Sequence, residues 1–162
     1  MLDKLTGLQT RKAMLKRLEE ELNRLKRYQR NFSIIIIDID NCKKINTTFG
    51  RDFGDRVLVR FSNWITKNIR NVDLFFRYGK DAFVVLLPET QQVEVVTAAT
   101  RLRSGIESTN FGLSKQPCHL TVSVGCLATD KTSVKSIEEL LHLANLALQT
   151  AKKNGGNQVI LV

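Results

Sequence analysis

The sequence predicts an α/β chain of the α+β kind, with a central, mostly antiparallel sheet flanked by helices. Three observations lead there. Helical and strand-like apolar periodicities alternate along the chain. Two of the strands lie so close in sequence that only a hairpin can join them. The third observation is size and composition: 162 residues, 43% apolar and 25% charged, suit one compact domain that closes a core without disulfide or metal.

The first helix is predicted from about Thr10 to Tyr28, where Met14, Leu15, Leu18, Leu22 and Leu25 recur at helical spacing. Phe32 to Asp38 follows, with four consecutive isoleucines, a β-branched run that reads as a strand buried on both faces. It runs into Asp38-Ile39-Asp40. Carboxylates two residues apart at the end of a buried strand suit a metal or catalytic site, and equally suit an end-of-strand cap that accepts backbone N–H groups. A short helix or turn over Cys42–Thr48 precedes Gly50, and a longer helix runs from about Arg51 to Ile69 with Val57, Leu58, Phe61, Trp64 and Ile65 as its buried face. Leu74-Phe75-Phe76 and Phe83-Val84-Val85-Leu86-Leu87 are the two hairpin strands, with a glycine and an acid at the turn between them. A helix from about Gln91 to Glu107, a strand over Leu120–Leu127, a helix over Ile137–Lys152 and a short strand over Gln158–Val162 complete the chain.

Composition narrows the function classes. No apolar run approaches the ~20 residues of a membrane helix, and Met1-Leu2-Asp3-Lys4 leads into polar sequence without a signal peptide. Cys42, Cys118 and Cys126 lack the spacing of a zinc or redox site, so reduced thiols in the cytoplasm are expected. His119 and His142 have no partner at metal-ligand spacing. The net charge of +9 and pI near 9.7 favour polyanions. Much of that charge (Arg11, Lys12, Lys16, Arg17, Arg24, Lys26, Arg27 and Arg30) reads as a solvated helix face. Aromatics are not interleaved with it, which argues against a nucleic-acid stacking surface.

The hairpin turn Gly79-Lys80-Asp81-Ala82-Phe83 resembles the Gly-Gly-Asp/Glu-Glu-Phe signature of the GGDEF family, the diguanylate cyclases. Five more stretches carry the resemblance across the whole chain. Asp3-Lys4-Leu5-Thr6-Gly7-Leu8 is similar to the opening of GGDEF domains, and Asp38-Ile39-Asp40-Asn41-Cys42-Lys43-Lys44-Ile45-Asn46 to their Asp-x-Asp-x-Phe-Lys-x-x-Asn segment. Phe49 to Asp55, Thr121 to Gly125, and Ala151 to Asn157 match further blocks.

The resemblance implies a five-stranded, palm-like cyclase sheet with Asp38 and the hairpin tip side by side. It also implies a fragment of a larger signalling protein, with a sensor or phosphoreceiver module upstream. In active members two facing domains each hold a GTP, and each 3′-hydroxyl attacks the other's α-phosphate to give cyclic di-GMP; a homodimer and Mg²⁺ follow from that scheme. Carried over, Asp38, the Ile39 backbone carbonyl and Asp81 would hold Mg²⁺, and Lys43 and Lys152 would meet the phosphates near Gly79. Asn46 and Asp55 would read the guanine edge. Arg70-Asn71-Val72-Asp73, five residues before Gly79, stands where many members carry an Arg-x-x-Asp inhibitory site for cyclic di-GMP, and Arg101 where a second arginine joins it. Taken alone, Arg-x-x-Asp is usually an exposed helix-end ion pair worth ~0–1 kcal/mol.

The departures set the functional expectation. Lys80 stands where the family brings bare backbone near the nucleotide. Ala82 replaces a glutamate that contributes to the metal site, and alanine offers a hard cation no oxygen. Asn41, Cys42, Thr47 and Gly156 also differ from the usual residues. The expected function is therefore a degenerate GGDEF domain without cyclase activity that binds cyclic di-GMP through Arg70, Asp73 and Arg101. Two alternatives stand beside it: a GTP-binding allosteric domain and a cyclase of reduced activity.

Overall fold

The computed structural model describes residues 1–162. Helix α1 (Arg11–Tyr28) starts one residue after Thr10, because the Thr10 hydroxyl is its cap and accepts from the Ala13 amide at 3.4 Å. Strand β1 (Phe32–Ile39) is buried over all eight residues, which is why its sequence shows no polar alternation. Helices α2 (Cys42–Phe49) and α3 (Arg51–Lys67) follow, hinged at Gly50, whose φ of 88° favours glycine. The hairpin is β2 (Leu74–Arg77) and β3 (Ala82–Pro88). Helix α4 (Gln92–Glu107), strand β4 (Val122–Ala128), helix α5 (Ile137–Lys153) and strand β5 (Gln158–Leu161) complete the order. Strand β4 begins two residues later than its apolar pattern, and at that end the Thr121 carbonyl accepts from the Asp40 amide at 3.0 Å.

The five strands form one sheet in the order β2-β3-β1-β4-β5. All neighbours are antiparallel except the parallel pair β4–β5, so the sheet is mixed and mostly antiparallel. Successive side chains of β1 feed opposite faces. Ile35, Ile37 and Ile39 join Phe61, Ile65, Val95 and Leu102 from α3 and α4, while Ile34 and Ile36 join Met14, Leu18, Leu140 and Leu148 from α1 and α5.

Two contacts fix what later becomes the site. Phe83, the last residue of the hairpin signature, is fully buried, with ring centroids 5.1 Å from Phe61 and 5.6 Å from Phe75. Burying such a ring is worth roughly 1.5–3 kcal/mol and pins the start of β3. At Gly125 a Cβ would stand 2.6 Å from the Ala144 carbonyl oxygen and 2.8 Å from the Leu148 amide. The missing side chain lets α5 lie directly on β4 and carry its C-terminal lysines toward the end of β1.

Candidate functional site

Asp38 sits near the carboxyl end of β1, in register with Ala82 on one side and Ser123 on the other. It opens onto a cleft of about 580 Å³, lined also by Asp81, Lys43, Lys152, Gly155 and Gly156. Lys152, from the last turn of α5, forms an ion pair with Asp38 Oδ2. The other oxygen, Oδ1, is buried with no hydrogen-bond partner. Burial pushes the Asp38 carboxyl above its ordinary value; the Lys152 hydrogen bond opposes that shift, and the charges of Asp81 and Asp40 reinforce it. Nearby Cys42 is likewise pushed up, by burial first and then by Asp81 and Asp38.

The hairpin tip lies against this end of β1, because the Asp81 carbonyl accepts from the Ile39 amide at 3.2 Å. The turn closes on the Ala82 carbonyl, which accepts from Tyr78 at 2.8 Å and Gly79 at 3.0 Å. Arg77 braces it from behind. Its guanidinium donates to the Gly79 carbonyl at 3.2 Å, the Lys80 carbonyl at 2.5 Å and Asp3 Oδ2 at 2.9 Å. Asp3 also accepts from the Thr6 amide and hydroxyl, so the opening Asp-x-Leu-Thr-Gly-Leu turn is tied to the tip. Burial raises the Asp3 carboxyl, but the bonds from Thr6 and Arg77 together outweigh it and hold the group below its ordinary value. Lys80 is exposed and lines a smaller cleft of about 290 Å³ on the Arg11 and Tyr78 side of the tip, not the Asp38 cleft.

Directly opposed residues of an antiparallel pair project from the same face. Ala82 therefore stands beside Asp38 without contributing an oxygen. No three His, Cys, Asp or Glu side chains gather closely enough to hold a metal alone. The orphaned Asp38 Oδ1, with Asp81 and Ile39 at the same cleft, fits a Mg²⁺ ion of the kind held by one or two carboxylates and completed by substrate phosphates.

Asn46 and Asp55 come from α2 and α3 and are both half-buried. Asn46 Oδ1 lies over Gly54, where a Cβ would be only 1.8 Å away, so α2 and α3 approach closely one residue before Asp55. Neither residue lines the Asp38 cleft.

Arg70, Asp73 and Arg101 gather at a different surface. Arg70 Nη2 and Nε donate to Asp73 Oδ1 at 2.9 and 3.1 Å, and Nη2 also reaches the Thr90 hydroxyl at 2.6 Å. The Arg70 amide donates to Asp73 Oδ2 at 2.9 Å. Asp73 is only 3% exposed at its side chain while Arg70 is 46% exposed. Both Asp73 oxygens accept from Arg70 and so aim the guanidinium, whose pKa the carboxylate holds above the ordinary arginine value. Exposed Arg101 joins this surface by donating to the Asn68 carbonyl at 3.2 Å.

Asp38 and Asp40 have parted roles. Asp40 accepts from the Thr121 and Ser123 hydroxyls, each at 2.7 Å, and from the Asn157 amide at 2.9 Å. It is a cap, and the sequence marks it only by its spacing from Asp38. Arg77 and Thr90 were also missed as site-building residues; the pairing of Arg77 with Asp3 left only the weak signal of opposite charges in two motif blocks.

The chain's comparisons point one way. The model of the family described as "Diguanylate cyclase, GGDEF domain" matches residues 1–158. The response regulator PleD of Caulobacter vibrioides is 36% identical over 160 residues, covering 98% of this chain and 35% of PleD. Diguanylate cyclase DosC of Escherichia coli is 34% identical over 161 residues, covering 99% of this chain and 35% of DosC. The chain thus spans about a third of the length of these relatives. Diguanylate cyclase SiaD of Pseudomonas aeruginosa, solved with its activator SiaC, superposes with a TM-score of 0.93 at 30% identity, covering 99% of this chain and 61% of that one. The coiled coil and GGDEF domain of DgcB from Caulobacter crescentus, solved in complex with cyclic di-GMP, gives 0.91 at 25% identity, with 99% and 85% covered.

Proposed function

Because this chain belongs to the GGDEF diguanylate cyclase family, we propose that it serves cyclic di-GMP signalling as a receptor of the dinucleotide, with little or no cyclase activity, as one module of a longer cytoplasmic signalling protein. The observation that carries the reading is the Arg70–Asp73–Arg101 surface, where the Arg70 guanidinium is locked in place by a buried carboxylate and the exposed Arg101 donates to the Asn68 carbonyl, two residues before Arg70. With Nε and Nη2 of Arg70 engaged by Asp73 and Thr90, the fixed Nη1 group is the donor left to meet a phosphate oxygen or a guanine edge. Asp73 acts there as the positioning group for Arg70.

Weak turnover follows from the opposite end of the sheet. Phosphoryl transfer depends on neutralising and aligning phosphates. Asp38, the Ile39 carbonyl and Asp81 would hold a Mg²⁺ that, when bound, would supply part of that neutralisation. The protein's own share falls to Lys43 and Lys152, which present ammonium groups to the phosphates, while Ala82 leaves one carboxylate fewer beside Asp38. Incubation of concentrated protein with GTP and Mg²⁺, followed by chromatography, tests this half: no cyclic product over hours is expected, and steady accumulation overturns it. Saturable binding of cyclic di-GMP at micromolar concentration is the expected result for the receptor half.

The cleft itself favours a second reading, GTP binding without cyclisation that regulates an attached domain. Its motive is Asp38 with a free buried oxygen, faced by Lys43, Lys152 and Asp81, with Asn46 and Asp55 across α2 and α3. A GTP titration with Mg²⁺ that shows no binding removes it.

A further inference from the structure

Lys152 is the cation on Asp38, yet α5 ends one residue later and the chain turns sharply through Asn154, Gly155, Gly156 and Asn157 before β5. Gly155, Gly156 and Asn157 have φ of 105°, 78° and 51°, a run of left-handed residues closed onto α5 by the Gly155 and Gly156 amides, which donate to the Lys152 and Ala151 carbonyls at 3.1 and 3.0 Å, and open to a further tie from outside the turn. Asp40 supplies it. One carboxylate oxygen, Oδ2, accepts from the Asn157 amide at 2.9 Å and the Thr121 hydroxyl at 2.7 Å, and Oδ1 accepts from the Ser123 hydroxyl at 2.7 Å. At Gly156 a Cβ would stand 2.8 Å from the same Oδ2, so the turn is pressed against the carboxylate. Asn157 extends the tie to α4, its side chain accepting from Arg103 Nη1 at 2.7 Å and donating to Glu107 Oε2 at 2.6 Å.

We propose that Asp40 is the positioning residue of the phosphate-binding lysine: it clamps the turn that follows α5, and the clamped turn holds Lys152 over Asp38. The two aspartates at the end of β1 then divide the work, Asp38 facing the cleft and Asp40 fixing the group that faces it. This rests on the reading of Lys152 as a phosphate ligand and is independent of the Arg70 surface.

The test starts without any ligand. In ¹H–¹³C spectra of the lysine ε-methylenes, the Lys152 signal is assigned by its loss in Lys152→Gln. In Asp40→Asn this signal is expected to move to the position of a free, exposed lysine. In Asn157→Gly it is expected to stay, because glycine keeps both the left-handed backbone and the N–H that Asp40 accepts. Movement in Asn157→Gly of the same size as in Asp40→Asn, or no movement in either, overturns the assignment. If Asp40→Asn does not fold, Thr121→Val combined with Ser123→Ala leaves the charge but removes two of its anchors, and carries the same expectation. With GTP as probe, Asp40→Asn and Lys152→Gln each weaken binding about tenfold, the lower range for losing a group that orients a ligand, and the double variant is no weaker than either alone. Additive losses overturn the clamp. Failure of GTP to bind the unaltered protein removes the GTP reading and leaves the ε-methylene result as the deciding one.

Discussion

Restoring a carboxylate at position 82 probes the Asp38 cleft most sharply. In Ala82→Glu the new side chain leaves β3 on the same face as Asp38, from a residue in direct register with it. The Cβ atoms of such pairs stand about 4.5–5.5 Å apart. Two carboxylates held ~5 Å apart repel by roughly 3 kcal/mol at an effective dielectric of about 20. Lys152 already pairs with Asp38 and the cleft opens to water, so about half of that, ~1.5 kcal/mol, is expected to survive as lost stability. For a chain of this size it lowers the melting temperature by about 3–6 °C. The assay is thermal melting in EDTA and in millimolar Mg²⁺. The variant should melt low in EDTA and recover with Mg²⁺, while the unaltered protein, lacking the third carboxylate, responds little in the absence of nucleotide. A variant that melts like the unaltered protein in both buffers refutes the placement of Ala82 beside a cation site.

Other consequences follow from single contacts. The Asp38 carboxyl is raised above its ordinary 3.8, chiefly by burial, so its ionisation costs stability once pH rises through the raised value. Asp38→Asn should therefore melt higher than the unaltered protein near neutral pH without divalent cation, with the gap closing as pH falls toward 4; a gap that widens on acidification contradicts it. Gly54→Ala gains up to ~1 kcal/mol of helix propensity but drives a Cβ into Asn46 Oδ1, 1.8 Å away. Since the amide can rotate aside, the melting temperature should hold or rise while GTP affinity falls, as a paired melt and titration will read. Gly125→Ala meets backbone of α5 instead, which cannot rotate away. It should cost about 1–3 kcal/mol by denaturant unfolding, and full stability in that variant rules out the close α5–β4 approach.

How much of this was legible in the sequence depended on whether a residue's partner was local. Strands such as Phe32–Ile39 announce themselves because burial on both faces demands an unbroken apolar run, and helices because one face must be apolar. The juxtaposition of Asp38 with the hairpin tip followed from family resemblance, and the β1–β3 register gives it atomic form. Roles set by distant partners stayed hidden. Asp38 and Asp40 are the same residue type two positions apart, and only Thr121, Ser123 and Asn157, more than 80 residues on, distinguish them. The four-residue Arg70–Asp73 motif does not reveal that both Asp73 oxygens turn back onto Arg70. The sequence around Lys80 likewise does not reveal that the carbonyls of Gly79 and Lys80 are bonded to Arg77, or that Lys80 lines the smaller cleft beside Arg11 and Tyr78.

The central claim is that cyclic di-GMP binds at the Arg70 surface. Calorimetric titration of the dinucleotide into the unaltered chain and into Arg70→Ala tests it most directly. Saturable micromolar binding to the first and none to the second is the expected result. No binding to either chain, or equal binding to both, contradicts it.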